Sequence, residues 1–582
     1  MSVADASFAC ATALVDALAG GGVRHACVSP GSRSTPLALA FARDERIAVH
    51  VHIDERSAAF FALGLATART EPVALVCTSG TAATEYHPAI VEASQARVRL
   101  LTLTADRPAR LRGTGANQTI DQVDLYGRAV RAYLEPPLPA SAGDAPAWFD
   151  TGIRALDAAA GPTAGPVHIN CAFDEPLVPT GAAAWVRRHV PDAVAADVDA
   201  DAPAAALEAF GATYGGRRGV ITIGALRPPT TLALLSLGEL LGWPVLAEPL
   251  SGLRLHASQA GRALATGQLL IGDEAWRSRH RPEVVLQVGA APTTRATQRL
   301  VAEADAVVVL DRDHLDPDPN GVAERRIAVD PEAFAALAWD RREDNPVPRP
   351  AEWLEVWRRA DLRVHATVDR LLDGWDEPFE GRVARDVGAF VPHGGVLWVG
   401  SSMPIRDVDA FLAPRRPPRI WNPSDLVRIV GNRGASGIDG SVATILGVAR
   451  AGVGPTYALV GDVTFLVDAG SLLWAGASGP DVVLVVVANG GGQIFSLLDQ
   501  AALPELDEMF VTPHPADIEA VCVAARVGHR RVDRSRDLVP ALELAARTGG
   551  VQVVEVTADP QLQRRRRAEV HDAVTAVLAR DG

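Results

Sequence analysis

Short β-rich segments alternate with helical patterns along most of the chain, and this alternation constrains the fold more than any other feature. Between residues 23 and 175 the β-rich segments include RHACVSP, IAVHVHID, PVALVCTSG, RVRLLTLTAD and GPVHINCAF. Strands that are apolar over their whole length and alternate with helices are typical of parallel sheets covered on both faces. The sequence therefore predicts an α/β domain in this part of the chain.

The same alternation occurs twice more. The second series contains GVITIGALRPP, PVLAEPLSG, EVVLQVGAAPTT and DAVVVLDRDH, and the third contains GVLWVGSSMP, PTYALVGDVTF, DVVLVVVANGGGQ and VQVVEVTAD. A segment rich in Ala, Asp and Pro at about 178–205, and DRREDNPVPRPAEW at 340–353, are typical of connections between domains. We predict three consecutive doubly wound parallel-sheet α/β domains, over residues 1–185, 200–340 and 355–582.

Charge and composition exclude several functional classes. The formal net charge is -14 and the longest basic run is QRRRRAEV, so we expect no nucleic-acid partner and a solvated helix face at residues 564–567. All 56 Lys and Arg residues are arginine, which excludes a lysine Schiff base and a P-loop lysine.

Five scattered cysteines without a C-x-x-C pair predict a cytoplasmic protein without disulfides. The N-terminus has no basic segment and its apolar residues are interrupted by acidic ones, so neither a signal peptide nor membrane insertion is expected.

Ligands of parallel sheets bind beyond the carboxyl ends of the strands, and the third series has its most specific residues there. One strand ends in Gly461 and Asp462, the next ends in ANGGGQ with Asn489, and 26 residues separate the Asp from the Asn. A carboxylate, an amide oxygen and a loop carbonyl are hard oxygen ligands suited to Mg²⁺ carrying a diphosphate. Alternatively, Asp462 caps the following helix and Asn489 makes a turn.

This pattern resembles the diphosphate and metal motif of thiamine-diphosphate enzymes, usually GDG followed at this distance by Asn; here Val463 stands third. In HIDERSAAFFALGLA, Glu55 begins a helix directly after a strand. The small residues that allow this helix to pack closely are Ala58, Ala59, Ala62 and Gly64. Thiamine enzymes place a glutamate there beside N1′ of the aminopyrimidine, where it favours the imino tautomer. The alternative for Glu55 is a first-turn residue that complements the helix dipole.

The strand before Glu55 places His50, His52 and Asp54 on one face. This arrangement could be taken for a metal site, but no third and fourth ligand is evident in the sequence. Histidines at strand spacing are packing or surface residues more often than ligands. We therefore interpret His50 and His52 as packing or surface residues rather than metal ligands.

The whole chain, from about residue 29 to 498, resembles the 2-succinyl-5-enolpyruvyl-6-hydroxy-3-cyclohexene-1-carboxylate synthases of menaquinone biosynthesis. The likeness lies in SPGSRSTPLALA, HIDERSAAFFALGLA, TSGTAATEYHPA, TADRPARLRGTGANQTIDQ, GNRGASGIDG, GDVTFLVDAGSLL and NGGGQIFSLL. It implies thiamine diphosphate with Mg²⁺ or Mn²⁺, decarboxylation of 2-oxoglutarate, and 1,4-addition of the resulting carbanion to isochorismate. Because the pyrimidine and diphosphate halves of the cofactor lie on different domains, it also implies a homodimer or homotetramer with active sites at the subunit interface.

The resemblance assigns roles to individual residues. The residues that it places at the cofactor are Glu55, Ser79, Gly80, Ile438, Gly461, Asp462, Asn489, Gly491, Gly492, Gln493, Ile494 and Phe495, and of these Asp462, Asn489 and Gly491 hold the metal. Those that it places at the substrates are Ser32, Arg33, Arg107, Gln118, Arg295, Ser402, Arg406, Arg433, Phe495 and Leu498. The implied catalytic set is Glu55, Arg33, Arg107, Gln118, Ser402, Arg406 and Arg433.

The arginines in this set suit carboxylated substrates, because the guanidinium fork pairs bidentately with carboxylates and stays charged. The family pattern directs Arg33, Arg107 and Gln118 to isochorismate. It directs Ser402, Arg406 and Arg433 to the succinyl carboxylate or the shared intermediate. The alternative for each arginine is a surface salt bridge or a phosphate clamp. In VSPGSRSTP, Ser34 or Thr35 is expected to cap a helix that starts near Pro36.

Three further positions qualify the likeness. Ile438 matches the aliphatic residue that the family wedges under the cofactor to bend it, and core packing is the alternative. Arg295 stands where the family often has a lysine, and Ser401 where an asparagine is common. Both departures concern substrate contacts and leave the reaction class unchanged.

Two other classes of protein compete with this interpretation. Another thiamine enzyme, such as an acetohydroxyacid synthase or a 2-oxo acid decarboxylase, would lack GSRSTP and GANQ, which are both present. A non-catalytic regulatory or nucleotide-binding protein on the same fold would be expected to lack Glu55 or the pair Asp462 and Asn489, and the chain has all three.

Overall fold

The computed structural model describes residues 2–181, 185–190, 202–226, 232–256, 263–312, 318–343, 346–415, 425–475 and 479–581. Within these ranges the strands form three separate sheets of six, five and six strands. Every strand pair is parallel. The predicted architecture of three consecutive α/β domains with parallel sheets is confirmed. The connection predicted at about 178–205 lies largely outside the described residues.

The first sheet has the strand order β2-β1-β3-β4-β6-β5. Its strands are β1 His25–Val28, β2 Ala48–Val51, β3 Val73–Cys77, β4 Leu100–Asp106, β5 Tyr133–Leu134 and β6 Val167–Ala172. The helices around it are α1 Val3–Gly20, α2 Thr35–Ala42, α3 Glu55–Arg69, α4 Thr81–Glu85, α5 His87–Ala96 and α6 Ala145–Ala160. The order reverses between β1 and β3, and a crevice for a ligand forms at their carboxyl ends at such a reversal.

The central sheet has the order β11-β10-β9-β7-β8. Its strands are β7 Gly219–Ile223, β8 Val245–Ala247, β9 Val284–Val288, β10 Ala306–Leu310 and β11 Ala323–Ile327. Its helices are α7 Ala202–Tyr214, α8 Ala233–Leu241, α9 Gly267–Gly272, α10 Glu274–Arg279, α11 Arg295–Glu303 and α12 Pro331–Asp340. The strands other than β11 are buried along their whole length, as expected of a sheet covered on both faces.

The third sheet, in the order β13-β12-β14-β15-β17-β16, repeats the strand order of the first. Its strands are β12 Val396–Val399, β13 Arg428–Val430, β14 Thr456–Gly461, β15 Val482–Ala488, β16 Gly528–Val532 and β17 Val551–Thr557. The helices are α13 Trp353–Gly374, α14 Glu380–Phe390, α15 Met403–Phe411, α16 Ser441–Arg450, α17 Asp462–Val467, α18 Leu472–Ala475, α19 Ile518–Ala525, α20 Leu538–Thr548 and α21 Pro560–Leu578. The order reverses between β12 and β14, so the loops after these two strands border the corresponding crevice.

Helices α13 and α21 attach the third domain to the central one. Trp357 and Val364 of α13, and Val570 and Val574 of α21, belong to the same hydrophobic core as the central sheet. This packing lies beside position 355, where we place the start of the third domain. The predicted boundaries 1–185, 200–340 and 355–582 remain our proposal.

The small residues predicted on α3 allow it to pack against α16 of the third domain. A Cβ at Gly64 would lie 2.1 Å from the Thr444 carbonyl oxygen, and one at Gly447 would lie 2.0 Å from the Phe61 carbonyl oxygen. These separations are too short for any side chain, so the two backbones meet directly. The prediction of close packing on this face of α3 is confirmed, and it joins the first and third domains within one chain.

We therefore expect Gly64→Ala to destabilise the protein by about 1–3 kcal/mol, the usual cost of overpacking a tight contact. The measurement is the midpoint of thermal unfolding, which should fall. The control is Gly272→Ala, because a Cβ at Gly272 meets nothing within 4 Å. Equal midpoints for the two variants would contradict the described contact between α3 and α16.

The structure corrects one prediction at the start of α2. This helix begins at Thr35 with Ser34 at the N-cap position, but no side chain caps it. Ser34 Oγ donates instead to the Gly31 carbonyl oxygen, and Thr35 Oγ1 donates to the Ser32 carbonyl oxygen. Both hydroxyls therefore stabilise the tight SPGS turn rather than the helix.

Helix α1 is, within the described residues, the one helix long and apolar enough to cross a membrane. Of the window that meets this test, 78% is buried inside the protein. Its apolar residues pack in the core of the first domain. The helix therefore resembles a core helix of a globular domain.

Candidate active site

The loops after β14 and β15 meet at Asp462. This carboxylate is buried, and Oδ2 accepts from the backbone N–H groups of Gly490 at 2.7 Å and Gly491 at 3.1 Å. Asp462 is the first residue of α17, while Gly461 occupies the N-cap position. Burial raises the pKa of the Asp462 carboxyl, and these N–H groups oppose the shift. Oδ1 accepts from the Val463 N–H at 2.7 Å, while the Oδ2 bonds join the two loops, so a simple helix cap does not describe this carboxylate.

The two ends of the side-chain amide of Asn489, which directly follows β15, have different surroundings. Its Nδ2 donates to Glu380 Oε1 at 2.7 Å. Its Oδ1 is buried and has no hydrogen-bond partner among the described residues. A buried amide oxygen without a donor costs about 1–3 kcal/mol, so this atom is suited to a ligand that the protein alone does not supply.

The NGGG segment turns sharply beside Asn489. Gly491 has φ +135°, and a Cβ there would lie 2.3 Å from the Val511 carbonyl oxygen, so only glycine fits. The chain after Gly492 continues as a short helix, Gln493–Leu497. In this segment Gln493, Ile494, Phe495 and Leu498 are all partly buried. Phe495 packs against Phe510 with ring centroids 5.5 Å apart.

Glu55 begins α3 directly after the end of β2. The N-cap residue is Asp54, whose side chain accepts from the N–H groups of Arg56 and Ser57. The Glu55 side chain is partly buried, and burial raises the pKa of its carboxyl, with further contributions from Asp54 and Glu85. A half-buried carboxyl with a raised pKa at a strand end is suited to share a proton with a ring nitrogen. Glu55 also lies in the first turn of the helix, as in the alternative interpretation.

The same end of the first sheet gathers most of the residues predicted to face isochorismate. Arg107 Nη1 donates to Ser79 Oγ and, at 2.7 Å, to the Gln118 carbonyl oxygen. Gln118 Nε2 donates to the Ser79 carbonyl oxygen at 3.0 Å, and Gly80 lies against the Gln118 side chain. Burial lowers the pKa of Arg107, and the nearby charge of Arg33 lowers it further. Two cations held so close favour an anion between or beside them.

Arg33 is buried at 8% exposure and already has partners. It donates to the Phe173 carbonyl oxygen at 3.0 Å and to Glu175 Oε1 at 2.9 Å. Its Nε is buried without a hydrogen-bond partner among the described residues. The Glu175 side chain is 72% exposed, so a substrate carboxylate could exchange with it at low cost. Ser32 lies in the same turn and accepts from Thr35.

A second group of cations lies at the carboxyl end of the third sheet. Ser402 is the N-cap residue of α15, and its carbonyl oxygen accepts from Arg406. Burial lowers the pKa of Arg406, and the charges of Arg433 and Arg295 lower it further. Arg433 Nη1 donates to Ser401 Oγ at 3.4 Å. The structure therefore brings Arg295 of the central domain to the two predicted arginines of the third.

Among the described residues, no hydrogen bond or ion pair links Glu55, Arg33, Arg107 or Gln118 of the first domain to Asp462 or Asn489 of the third. The first and third domains do meet at Glu92, whose carboxylate accepts from the N–H groups of Gly434 at 2.7 Å and Ala435 at 2.6 Å. This contact holds the loop that carries Arg433. Ile438, four residues beyond Gly434, is partly buried and lies outside the buried cores, so core packing does not explain it.

Comparison with known proteins identifies the fold family over nearly the whole chain. Three family models match: the thiamine pyrophosphate enzyme N-terminal TPP binding domain at residues 9–125, the middle domain of thiamine pyrophosphate at 184–399, and the C-terminal TPP binding domain at 412–556. Proteins named 2-succinyl-5-enolpyruvyl-6-hydroxy-3-cyclohexene-1-carboxylate synthase match along their length. That of Thermobifida fusca is 40% identical, covering 98% of this chain and 99% of its own. That of Geobacillus kaustophilus is 39% identical, covering 95% of each.

The chain belongs to this synthase family. This confirms the resemblance found in the sequence. It also confirms the prediction that the protein is a thiamine-diphosphate enzyme. The synthase of Saccharopolyspora erythraea is 40% identical, covering 98% of this chain and 99% of its own.

The donors in the third domain fit the metal and diphosphate that the synthase family implies. Asp462 offers a buried carboxylate, and Asn489 offers the buried amide oxygen that lacks a partner. The Gly491 carbonyl oxygen accepts one bond, from the Gln493 N–H, and keeps a second lone pair. The described residues contain no group of three or more His, Cys, Asp or Glu suited to a metal.

Two interpretations from the sequence are settled by the geometry around β2 and the cysteines. His50 and His52 pack against Phe61 with ring centroids 5.4 and 4.5 Å away, and burial lowers the pKa of each to about 4. Of the two alternatives, packing and surface, they are packing residues. All five cysteines lie in the described part of the chain and are free and buried.

The prediction of a solvated face at residues 564–567 is wrong for half of it. Arg566 donates to Glu569 at 2.7 Å, and Arg567 forms a fork with both oxygens of Asp407 at 2.7 and 2.9 Å. Arg567 also donates to Glu380. A run of arginines gives no periodic apolar signal, so its two inward-facing members could not be distinguished from the sequence.

Several residues near the site carry no sequence motif that would have revealed them. Glu380 binds Asn489, Glu92 binds the Arg433 loop, and His514 Nε2 lies 3.4 Å from Asp462 Oδ2. Glu248 is buried and accepts from the Thr293 N–H at 2.6 Å and Oγ1 at 2.9 Å, which fixes the loop before Arg295. Burial raises the pKa of Glu248.

Proposed function

We propose that this protein is a thiamine-diphosphate-dependent transferase that decarboxylates 2-oxoglutarate and adds the resulting succinyl carbanion 1,4 to isochorismate. The products are 2-succinyl-5-enolpyruvyl-6-hydroxy-3-cyclohexene-1-carboxylate and CO₂, and the pathway is menaquinone biosynthesis. The observation that carries this proposal is the pairing of two separate arginine groups with a diphosphate-type loop, in a chain of the synthase family. Both substrates are dicarboxylates, which suit clusters of cations in an otherwise acidic protein.

The proposed cofactor site uses Asp462, Asn489 and the Gly491 carbonyl for Mg²⁺, with Mn²⁺ as a second candidate. When bound, thiamine diphosphate supplies the nucleophilic carbon and the electron sink for decarboxylation. Glu55 holds the proton shared with N1′ of its pyrimidine. The remaining residues proposed around the cofactor are Ser79, Gly80, Ile438, Gly461, Gly492, Gln493, Ile494 and Phe495.

The proposed substrate contacts divide between the two arginine groups. Ser32, Arg33, Arg107 and Gln118 bind the carboxylates of isochorismate. Ser402, Arg406, Arg433 and Arg295 bind the distal carboxylate derived from 2-oxoglutarate, with Phe495 and Leu498 covering its chain. Burial of Arg107, Arg406 and Arg433 supports these roles, because each guanidinium has lost water and has few carboxylates to replace it.

We further propose a cytoplasmic homodimer or homotetramer with sites completed between subunits. Two observations support a subunit interface near the site. Val51 and Ile53, which directly precede the Glu55 turn, are 66% and 61% exposed, and Trp474 and Val523 of the third domain are 46% and 69% exposed. Large apolar side chains at such exposure favour a covering partner. The five free cysteines agree with a reducing compartment.

The proposed function is tested by mixing the protein with thiamine diphosphate, Mg²⁺, 2-oxoglutarate and isochorismate and following isochorismate absorbance. We expect loss of absorbance that stops when either thiamine diphosphate or 2-oxoglutarate is omitted. Pyruvate in place of 2-oxoglutarate should give no reaction. Turnover of pyruvate, or loss of isochorismate without 2-oxoglutarate, would contradict the proposal.

A further inference from the structure

A buried chain of polar contacts begins at the Asn489 amide and ends on helix α15. Asn489 Nδ2 donates to Glu380 Oε1 at 2.7 Å, and the other Glu380 oxygen accepts from Arg567 Nη2. Arg567 then binds both oxygens of Asp407 at 2.7 and 2.9 Å. Glu380 and Asp407 are 5% and 2% exposed. The chain joins α14, α15 and α21 to the loop after β15.

The direction of the first contact follows from the chemistry of its partners. An ionised carboxylate only accepts hydrogen bonds, whereas a primary amide has one accepting and one donating end. Glu380 therefore selects the NH₂ end of Asn489, and Oδ1 must point the opposite way. That oxygen is buried and has no hydrogen-bond partner among the described residues.

We propose that Glu380 is a positioning residue whose carboxylate fixes the Asn489 amide with Oδ1 presented to the divalent cation at Asp462. This inference rests on the proposed function, which supplies the cation. Residues that orient a metal ligand from behind in this way tune the affinity of the site for its metal. Glu380 touches neither the cation nor a substrate and acts only through Asn489.

Arg567 holds the second oxygen of the Glu380 side chain through Nη2. Buried polar groups need such partners. Arg567 lies between Glu380 and Asp407, and these two carboxylates raise the pKa of its guanidinium despite burial. The backbone N–H of Glu380 donates to Gln563 Oε1 at 2.9 Å, which fixes the start of α14. Asn489 and Arg567 thus hold the two oxygens of the Glu380 carboxylate, and Gln563 holds its backbone.

The far end of the chain reaches the helix that carries a proposed substrate arginine. Asp407 directly follows Arg406 on α15, and this helix begins after Ser402. The same partly buried arginine therefore anchors the metal-facing amide and the helix of the second cation group. A buried ionic cluster of this kind contributes little net stability, so a role in fixing geometry accounts better for its presence.

The deciding variant is Glu380→Gln, which preserves the size and reach of the side chain. Arg567 still donates, so the oxygen of the introduced amide must face Arg567 and its NH₂ must face Asn489. The Asn489 amide then has to rotate and present NH₂ to the cation. We expect the reversed orientation of the Asn489 amide to be the change at the metal site.

The measurement is Mn²⁺ binding to the thiamine-diphosphate-saturated protein, read from the electron paramagnetic resonance signal of free Mn²⁺. We expect Glu380→Gln to bind Mn²⁺ about 10–100-fold more weakly than the unmodified chain. Arg567→Lys keeps the charge and loses the fork, so it should weaken Mn²⁺ binding to a smaller extent. The thermal unfolding midpoint without metal should change little in Glu380→Gln.

The matched control is Arg566→Gln, on the same helix, which breaks contacts with Glu377 and Glu569 and touches neither Glu380 nor Asn489. It should keep full Mn²⁺ affinity. Unchanged Mn²⁺ affinity in Glu380→Gln overturns the inference. If Glu380→Gln does not fold, unchanged Mn²⁺ affinity in Arg567→Lys overturns it instead. An unmodified chain that binds no Mn²⁺ in the presence of thiamine diphosphate overturns the proposed cofactor site instead.

Discussion

Glu55→Gln is expected to lower the rate of isochorismate consumption by about 10²–10⁴-fold, the range that a positioned acid or base contributes. The glutamine keeps the size of the side chain but cannot take up or release a proton at N1′. Burial raises the pKa of the Glu55 carboxyl, so its surroundings make protonation easier than for a carboxyl in water. Thiamine diphosphate binding, measured by quenching of tryptophan fluorescence, should persist because the proposed diphosphate site lies in the third domain.

Glu71→Gln is the matched control for this experiment. Glu71 lies just beyond the other end of α3 and pairs with Arg69 at the surface. Its variant should keep full activity. A Glu55→Gln enzyme that retains full activity would contradict the proposed proton-transfer role even if the overall reaction were confirmed.

Arg33→Ala is expected to lower kcat/KM for isochorismate by about 10²-fold, because truncating one partner of a buried charged hydrogen bond costs about 2–5 kcal/mol. The effect should be carried by isochorismate rather than by 2-oxoglutarate, since Arg33 and Arg107 lie together on the first domain. The KM for 2-oxoglutarate and the affinity for thiamine diphosphate should each change by less than about threefold. This is well below a tenfold change, which corresponds to about 1.4 kcal/mol.

The control for this variant is Arg43→Ala, just beyond the other end of helix α2. Arg43 stacks over Phe8, 4.8 Å from the ring centroid, and is remote from the strand ends that carry Arg107. Equal losses for both substrates in Arg33→Ala would indicate a structural role, through the Phe173 and Glu175 contacts, and would contradict a specific contact with isochorismate.

The sequence predicted the elements of the fold because local patterns encode them. Runs such as VVLVVVA are buried along almost their whole length in β15, and Asp462 and Asn489 directly follow two such strands. Parallel sheets place all such loops at one edge, so their proximity could be predicted without coordinates. The predicted helix start at Glu55 is also found, and the structure shows that the Asp54 side chain caps it.

The supporting contacts could not be predicted, because they join residues far apart in the chain. Glu380 lies 109 residues before Asn489, and Glu92 lies 342 residues before Gly434. No periodicity or motif marks either glutamate, and Arg567 was hidden within a run of four arginines. The cap predicted at Ser34 is absent for a different, local reason: its hydroxyl bonds to the backbone of the preceding turn, at the Gly31 carbonyl oxygen.

The most direct test of the central claim uses 2-oxoglutarate labelled with ¹³C at C1 or at C2, with isochorismate, thiamine diphosphate and Mg²⁺. NMR spectroscopy follows both labels. The proposed reaction predicts that C1 leaves as ¹³CO₂ while C2 becomes the carbonyl carbon bonded to the cyclohexene ring, with one CO₂ released for each isochorismate consumed. Release of ¹³CO₂ with C2 recovered only as succinic semialdehyde, and isochorismate left intact, would contradict it.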